Sequence, residues 1–306
     1  MEISEFFNNL KSPKGKIDVI LDTDTYNEID DQFAVAYLLK SSDRLTIKGI
    51  CAAPFHNENS SGPKDGMERS YHEIFKILKL AGREDLNNIV FSGSEGYLID
   101  ENNPRKSPAA DFMADLCNSY SPENPLYIIA IGAITNVASA ILKNPKMKEN
   151  TVIVWLGGHG RDYREPVSEF NMVQDIAAAR VITKSGVPFV QLPCRGVVNR
   201  LLVSKPELEY WLIGKNGLAT YLAENTIATA EKYAHGKPWT RVIWDIAPIA
   251  WLLNEDGKFM QDRIIPTHIP QYDRLYAENK DGHFMTYVYH IERDAIIEDL
   301  FRKLCE

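Results

Sequence analysis

Apolar residues cluster into short runs through the first 190 positions, and between the runs they recur at spacings of three and four. The runs 17–21, 45–53, 89–91, 126–131, 151–156 and 187–192 are rich in Ile, Val and Leu and predict buried strands. The intervening stretches 30–41, 70–80, 109–119, 134–142 and 176–184 predict helices. Strand and helix in strict alternation imply a doubly wound, mostly parallel (Rossmann-like) α/β sheet. Loops rich in Gly, Pro, Ser and Asn fill 54–65, 93–108 and 157–170. Beyond residue 190 the pattern adds C-terminal helices over 206–233, broken near 214–217, and over 245–253. A hairpin-like pair, 264–269 with 286–291, precedes a last helix over 294–304. No linker, repeat or low-complexity tract interrupts the chain, so one domain spanning 1–306 is expected.

One stretch departs from this regular alternation. After the first strand come Asp22, Asp24, Glu28, Asp30 and Asp31, five acidic groups in ten residues. Carboxylates crowded at the end of a buried strand repel one another and lose solvation. Capping the next helix asks for one such group, and Asp30 or Asp31 could serve. The rest call for a cation, and oxygen ligands without Cys or His favour Ca²⁺ or Mg²⁺. Further polar residues recur just past predicted strands: Asn57, Thr135-Asn136, Glu169-Phe170-Asn171 and, before a late helix, Asp245. In an open α/β sheet these positions converge at the carboxyl ends of the strands, where ligands bind.

Composition narrows the partners. A net charge of −8 over 306 residues, with no basic stripe, argues against nucleic acid. No run of eighteen apolar residues suggests a membrane span, and residues 1–16 lack the apolar core of a signal peptide. Cys51, Cys117, Cys194 and Cys305 stand far apart and read as free thiols. A cytoplasmic enzyme acting on a small molecule is the expectation.

Taken in order, the motifs resemble the inosine–uridine nucleoside hydrolase family, Ca²⁺-dependent enzymes that cleave the N-glycosidic bond of ribonucleosides. The similar pieces are Asp22-Thr23-Asp24…Asp30-Asp31, Gly132-Ala133-Ile134-Thr135-Asn136, Glu169-Phe170-Asn171 and Asp245, over roughly 16–255. The resemblance implies the nucleoside hydrolase fold. It also implies that Asp24, Asp31, Asp245 and the backbone carbonyl of Thr135 ligate Ca²⁺. Asp24 would take a proton from the ion's water, Asp30 would grip the ribose 2′-hydroxyl, and Glu169, Asn171 and Asn57 would bind ribose. Relatives of this kind are commonly homodimers or homotetramers.

Three departures mark this chain within the resemblance. Five residues, 25–29, separate the two acidic pairs where the family has three, so Tyr26-Asn27-Glu28 must bulge near the ribose or the metal. Trp244 stands where a histidine acid often precedes the late aspartate, similar to purine-preferring relatives that stack the base. The asparagine expected shortly before Glu169 is missing, with Tyr163 and Arg164 in that stretch. His159 is either a mobile acid or a surface histidine, and Tyr287, Tyr289 and Trp239 either line a base pocket or pack. Two other readings compete: a ribose-binding member that has lost turnover, and a haloacid-dehalogenase-like phosphatase using Asp22-Thr23-Asp24.

Overall fold

A computed structural model describes residues 1–163, 165–279 and 282–306. Its strands, in chain order, are β1 Ile17–Thr23, β2 Leu45–Ala52, β3 Val90–Phe91, β4 Leu126–Ala130, β5 Thr151–Leu156 and β6 Phe189–Leu192. Six more follow: β7 Leu202–Ser204, β8 Thr240–Val242, β9 Met260–Pro266, β10 His268–Pro270, β11 Tyr276–Glu278 and β12 Phe284–Ile291. Eight of them form one sheet in the order β3-β2-β1-β4-β5-β6-β12-β9. All its pairings are parallel except β12 with the edge strand β9. The predicted doubly wound sheet is therefore present.

Alternating side chains explain why both faces are covered. Val19 and Leu21 of β1 enter one apolar cluster and Ile20 the other; Ile129 of β4 and its neighbour Ile128 divide the same way. Helices Asp30–Leu39, Pro63–Leu80, Gly217–Ala234, Ile246–Leu252 and Arg293–Cys305 supply residues to the first cluster. Helices Pro108–Leu116, Thr135–Lys143 and Ile176–Lys184 supply the second. A strand buried on both sides has no polar face, hence the near-continuous apolar runs in the sequence.

The differences from the sequence reading lie at the N-terminus, at the start of the helix ending at Leu80, and after residue 190. The hairpin-like pair belongs to the main sheet: β12 lies parallel to β6, and β9 closes the edge beside it. A helix over Ile3–Asn9 and the two small ladders, β7 with β8 and β10 with β11, carry too few periodic residues to register beforehand. The helix ending at Leu80 starts at Pro63, inside the expected loop, because Pro and Gly at its start read as loop signals. All four cysteines are free thiols, as expected. Among the described residues no helix is long and apolar enough to cross a membrane.

Strand order places the chemistry. The chain runs outward from β1 through β2 to β3, then returns to β4 on the other side of β1. The crevice at such a reversal is where open α/β sheets bind ligands. Backbone bonds extend the ladders past it, from Ile131 N to Asp22 O (2.9 Å) and from Ala53 N to Thr23 O (2.8 Å). Ile129→Ala, which empties a fully buried β4 position against this crevice, should cost about 2–5 kcal/mol. A urea midpoint lowered with unchanged m value checks this; an unshifted midpoint would show that the sheet centre tolerates a void.

Candidate active site

Four aspartates meet at the switch point. Asp24 follows β1, Asp30 and Asp31 open the helix Asp30–Leu39, and Asp245 stands immediately before Ile246–Leu252. Each is at most 5% exposed. Asp30, Asp31 and Asp245 each offer a carboxylate oxygen, all within 4.8 Å of one another. Asp24 adjoins them and lies against Gly132, where a Cβ would come within 3.0 Å of its Oδ1. The absent side chain at Gly132 lets β1 and β4 close around Asp24.

These carboxylates do none of the ordinary jobs available to them. Ser107, Glu169, Asp175 and Asn216 cap their helices by accepting backbone N–H groups. Asp30 and Asp31 do not: Ile29 holds the cap position and no side chain caps that helix. Asp245 occupies a cap position yet accepts no capping bond. Both oxygens of Asp24, Oδ1 of Asp30 and Oδ2 of Asp31 are buried without a hydrogen-bond partner. The other oxygen of Asp31 accepts from Thr23 Oγ1 at 2.5 Å, and that of Asp30 from Trp244 N at 3.2 Å. Burial, then repulsion from Asp31 and Asp30, pushes Asp24 well above the usual carboxylate range. Burial and the charge of Asp30 do the same to Asp31 and Asp245.

Asp22 has a different task. Its Oδ1 accepts from Asn136 Nδ2 at 2.8 Å, and burial raises it to about 7. Asn136 also donates to Ala52 O (3.0 Å) and accepts from Ser94 N (2.8 Å), tying the ends of β1 and β2 to the following loop. Asp22 is fully buried with Oδ1 committed to Asn136, which does not suit the nucleophile that the phosphatase reading makes of it.

The cleft above the aspartates encloses about 380 Å³. Asp30, Asp245, Asn57, Glu169, Asn171 and half-buried Trp244 line it; Asp24, Asp31, Thr135 and Asn136, which the sequence reading grouped with them, do not. Glu169 is fully enclosed and accepts from Gly158 N (2.7 Å), Asn171 N (2.7 Å) and Met172 N (2.8 Å). Burial outweighs those bonds and raises it to about 7. Asn171 donates to Ile131 O (3.0 Å) and Leu156 O (3.1 Å), bracing the ends of β4 and β5. Thr135 opens the helix Thr135–Lys143, its buried hydroxyl donating to Asp175 Oδ2 at 2.6 Å.

The bulge Tyr26-Asn27-Glu28 forms one rim. Asn27 Oδ1 accepts from Asn57 Nδ2 (2.5 Å), Asn27 O from Asn59 Nδ2 (2.8 Å), and Glu28 pairs with Arg241 at 2.5 Å. Tyr26 instead faces outward beneath Arg69. His159 is not on the surface: it is 2% exposed in the cleft wall, facing Ser168 Oγ at 3.3 Å. Tyr287 is a core residue whose hydroxyl accepts from Arg161 N, Tyr289 is exposed and bonded to Gln261, and Trp239 packs against the core. None of these three lines the cleft. Of the residues in place of the missing asparagine, Tyr163 lies beside His159, and Arg164 falls outside the described residues. Cys194 and Arg195, not anticipated, line the cleft from just past β6, a strand end whose position was the available signal.

The family model described as "Inosine-uridine preferring nucleoside hydrolase" matches residues 19–280. The chain belongs to that family. The pyrimidine-specific ribonucleoside hydrolase RihA of Escherichia coli O81 (strain ED1a) is 26% identical over 264 residues, covering 78% of this chain and 80% of the relative. Two solved structures share the fold. A plant nucleoside hydrolase, PpNRh1, aligns with a TM-score of 0.72 at 19% identity, over 94% of this chain and 99% of its own. A purine-preferring ribonucleoside hydrolase from Gardnerella vaginalis gives 0.72 at 18%, over 94% and 98%. This nucleoside hydrolase family consists of N-ribosyl hydrolases that use a metal ion, and Asp30, Asp31 and Asp245 are a group able to hold one.

Protonation and cation binding compete for these carboxylates, which fixes a pH dependence. A carboxyl raised in the folded state keeps a proton that the unfolded chain has already released. Its contribution to stability is therefore full below the unfolded pKa and is lost as pH rises through the folded value, about 7 for Asp22 and Glu169. Asp24, Asp31 and Asp245 are raised in the same direction, so chelator-treated protein should lose thermal stability between about pH 4 and pH 7, and Ca²⁺ on those three should restore more of it at the higher pH. Melting curves with and without Ca²⁺ check this; an equal shift at both pH values would contradict a cation held by these groups.

Proposed function

We propose that this chain hydrolyses the N-glycosidic bond of a ribonucleoside, purine preferred, to free base and ribose with Ca²⁺ as cofactor. The observation that carries the reading is the set of buried, unpartnered carboxylate oxygens on Asp24, Asp30 and Asp31, with Asp245 beside them. Their charge, hardness and crowding fit an oxygen-loving divalent cation. Asp24, Asp31, Asp245 and the Thr135 carbonyl would hold it, with Asp30 inside the same group. When bound, such an ion lowers the pKa of water and holds a vicinal diol.

The residues of the chain supply the rest. Asp24, with both oxygens free, accepts the proton of the attacking water. The free oxygen of Asp30 accepts a ribose hydroxyl. Glu169 and Asn171 floor the cleft, and Asn57 on its rim is held by Asn27. As the C1′–N bond breaks and water oxygen bonds to C1′, the sugar gains positive charge that the surrounding carboxylates stabilise. The departing base takes up a proton, and Trp244 offers it a flat apolar face.

The relatives named above include one pyrimidine-specific and one purine-preferring enzyme, so the base is decided within this cleft. Trp244 supports the purine reading, because a purine presents the larger surface to stack. A homodimer or homotetramer in the cytoplasm is part of the same proposal.

Asp24→Ala should reduce base release from inosine by at least about 10³-fold, measured as reducing sugar with Ca²⁺ present. Turnover near that of the wild type would overturn the assignment. Cation binding without base release from any of inosine, guanosine, adenosine or uridine in the wild type would return the ribose-binding reading. Trp244→Ala should lower kcat/KM for purine nucleosides about threefold to tenfold more than for pyrimidine ones. Equal losses on both would remove the stacking role.

A further inference from the structure

Among the described residues, Arg195 is the only lysine or arginine lining a cleft that also carries Glu28, Asp30, Glu58, Glu169 and Asp245. Arg241 on the opposite rim is matched to Glu28 at 2.5 Å. Among the described residues no carboxylate pairs with Arg195. Its Nη1 donates to the Tyr163 hydroxyl at 3.1 Å, a neutral partner that positions the guanidinium without cancelling its charge.

The backbone beneath Arg195 is fixed. Gly160 N donates to Arg195 O and Cys194 N to Gly158 O, both at 2.9 Å, so the loops after β5 and β6 are laced together. Gly196 follows with φ +94, a left-handed turn that favours glycine. Beside Arg195 stands His159, buried in the cleft wall, with Nδ1 lacking any partner. Burial and then the Arg195 charge lower His159 to about 4, so at neutral pH it offers a donor or acceptor without charge. The sequence departs from the family pattern on this same wall, where Tyr163 falls in the stretch of the missing ribose-binding asparagine.

A buried imidazole with an unused nitrogen and a guanidinium without a counter-ion form a pair that suits an anion. Guanidinium forks match phosphate and carboxylate geometry, and hydrogen bonds to such groups are stronger than neutral ones. The acidic side of the cleft is left to the ribose diol and the cation.

We propose that Arg195, positioned by Tyr163 and flanked by His159, forms a subsite for an anionic substituent on the nucleoside, a phosphate on the ribose or a carboxylate on the base. It rests on the nucleoside reading and adds a substrate class to it. Hydrolysis of such a substrate breaks the C1′–N bond, places water oxygen on C1′ and returns a proton to the base. The anionic group is untouched and serves as a handle.

Two comparisons on the Ca²⁺-supplemented full chain test the subsite. The first reads binding alone, by calorimetry of ribose 5-phosphate against ribose and of orotate against uracil. The second reads kcat/KM by chromatography of released base, for inosine 5′-phosphate against inosine and orotidine against uridine. At least one anionic member should be favoured over its neutral counterpart by about tenfold or more. The pair that shows the preference identifies the phosphate or the carboxylate as the handle. Arg195→Gln should collapse that ratio toward one, and Arg195→Lys should keep part of it. Because Arg195 is exposed, both variants should fold. Neutral compounds bound and cleaved with no anionic preference, or a preference that survives Arg195→Gln, would overturn the subsite while leaving the nucleoside reading intact. Absence of binding and of base release for every compound would overturn both.

Discussion

The site depends on a local excess of negative charge that the protein itself does not neutralise. Asp24, Asp30, Asp31 and Asp245 are drawn from distant parts of the chain into one buried group, and among the described residues none forms an ion pair with Lys or Arg, the nearby Arg241 being paired with Glu28. Ionised carboxylates removed from water without a partner are costly by several kcal/mol each. A fold that retains four of them together is stable at neutral pH only with protons or a cation among them. The raised pKa values of Asp24, Asp31 and Asp245 express the first solution, and the unpartnered oxygens make room for the second.

Around this group the sequence spends neutral hydrogen bonds on rigidity. Asn136 ties the ends of β1 and β2, and Asn171 ties the ends of β4 and β5. Thr23 orients one oxygen of Asp31 and leaves the other open. Glu169 is immobilised by three backbone donors, so its role is to shape the floor as much as to meet a ligand. The bulge at Tyr26-Asn27-Glu28 adds a rim held from the Asn57 loop and from Arg241. A preorganised cleft of this kind can bind a developing cationic sugar without rearranging.

Much of this was legible in the residues, for physical reasons. Fully buried parallel strands advertise themselves as apolar runs, so the sheet through β6 and the helices between its strands emerge from periodicity. Acidic residues past a strand end have few structural uses, so Asp24, Asp30 and Asp31 stand out. Asp245 was visible as a polar residue before a late helix, but its metal role came only from the resemblance to a family pattern, since one aspartate before a helix has the same appearance as a cap. What stayed hidden depends on tertiary contacts. That β12 joins β6, with Thr286 beside Val190, and that His159 turns inward follow from packing between segments that the sequence pattern does not link. Tyr287 and Tyr289, two residues apart, would share a face of a regular strand, but a register shift between Val288 and His290 separates them, so Tyr287 is buried and Tyr289 exposed. Arg195 carries no motif at all and acquires meaning only from its neighbours in the cleft.

The proposed division of labour is that the acidic side holds the sugar and its cation, Trp244 meets the base, and the Arg195 wall reads whatever else the substrate bears. All of it presupposes the ion. Calorimetric titration of chelator-stripped protein with Ca²⁺, repeated in buffers of different ionisation enthalpy, tests that premise most directly. The account predicts a single saturable site per chain, accompanied by proton release at neutral pH and lost in Asp245→Ala. No binding, or binding that releases no proton and survives that substitution, would contradict it.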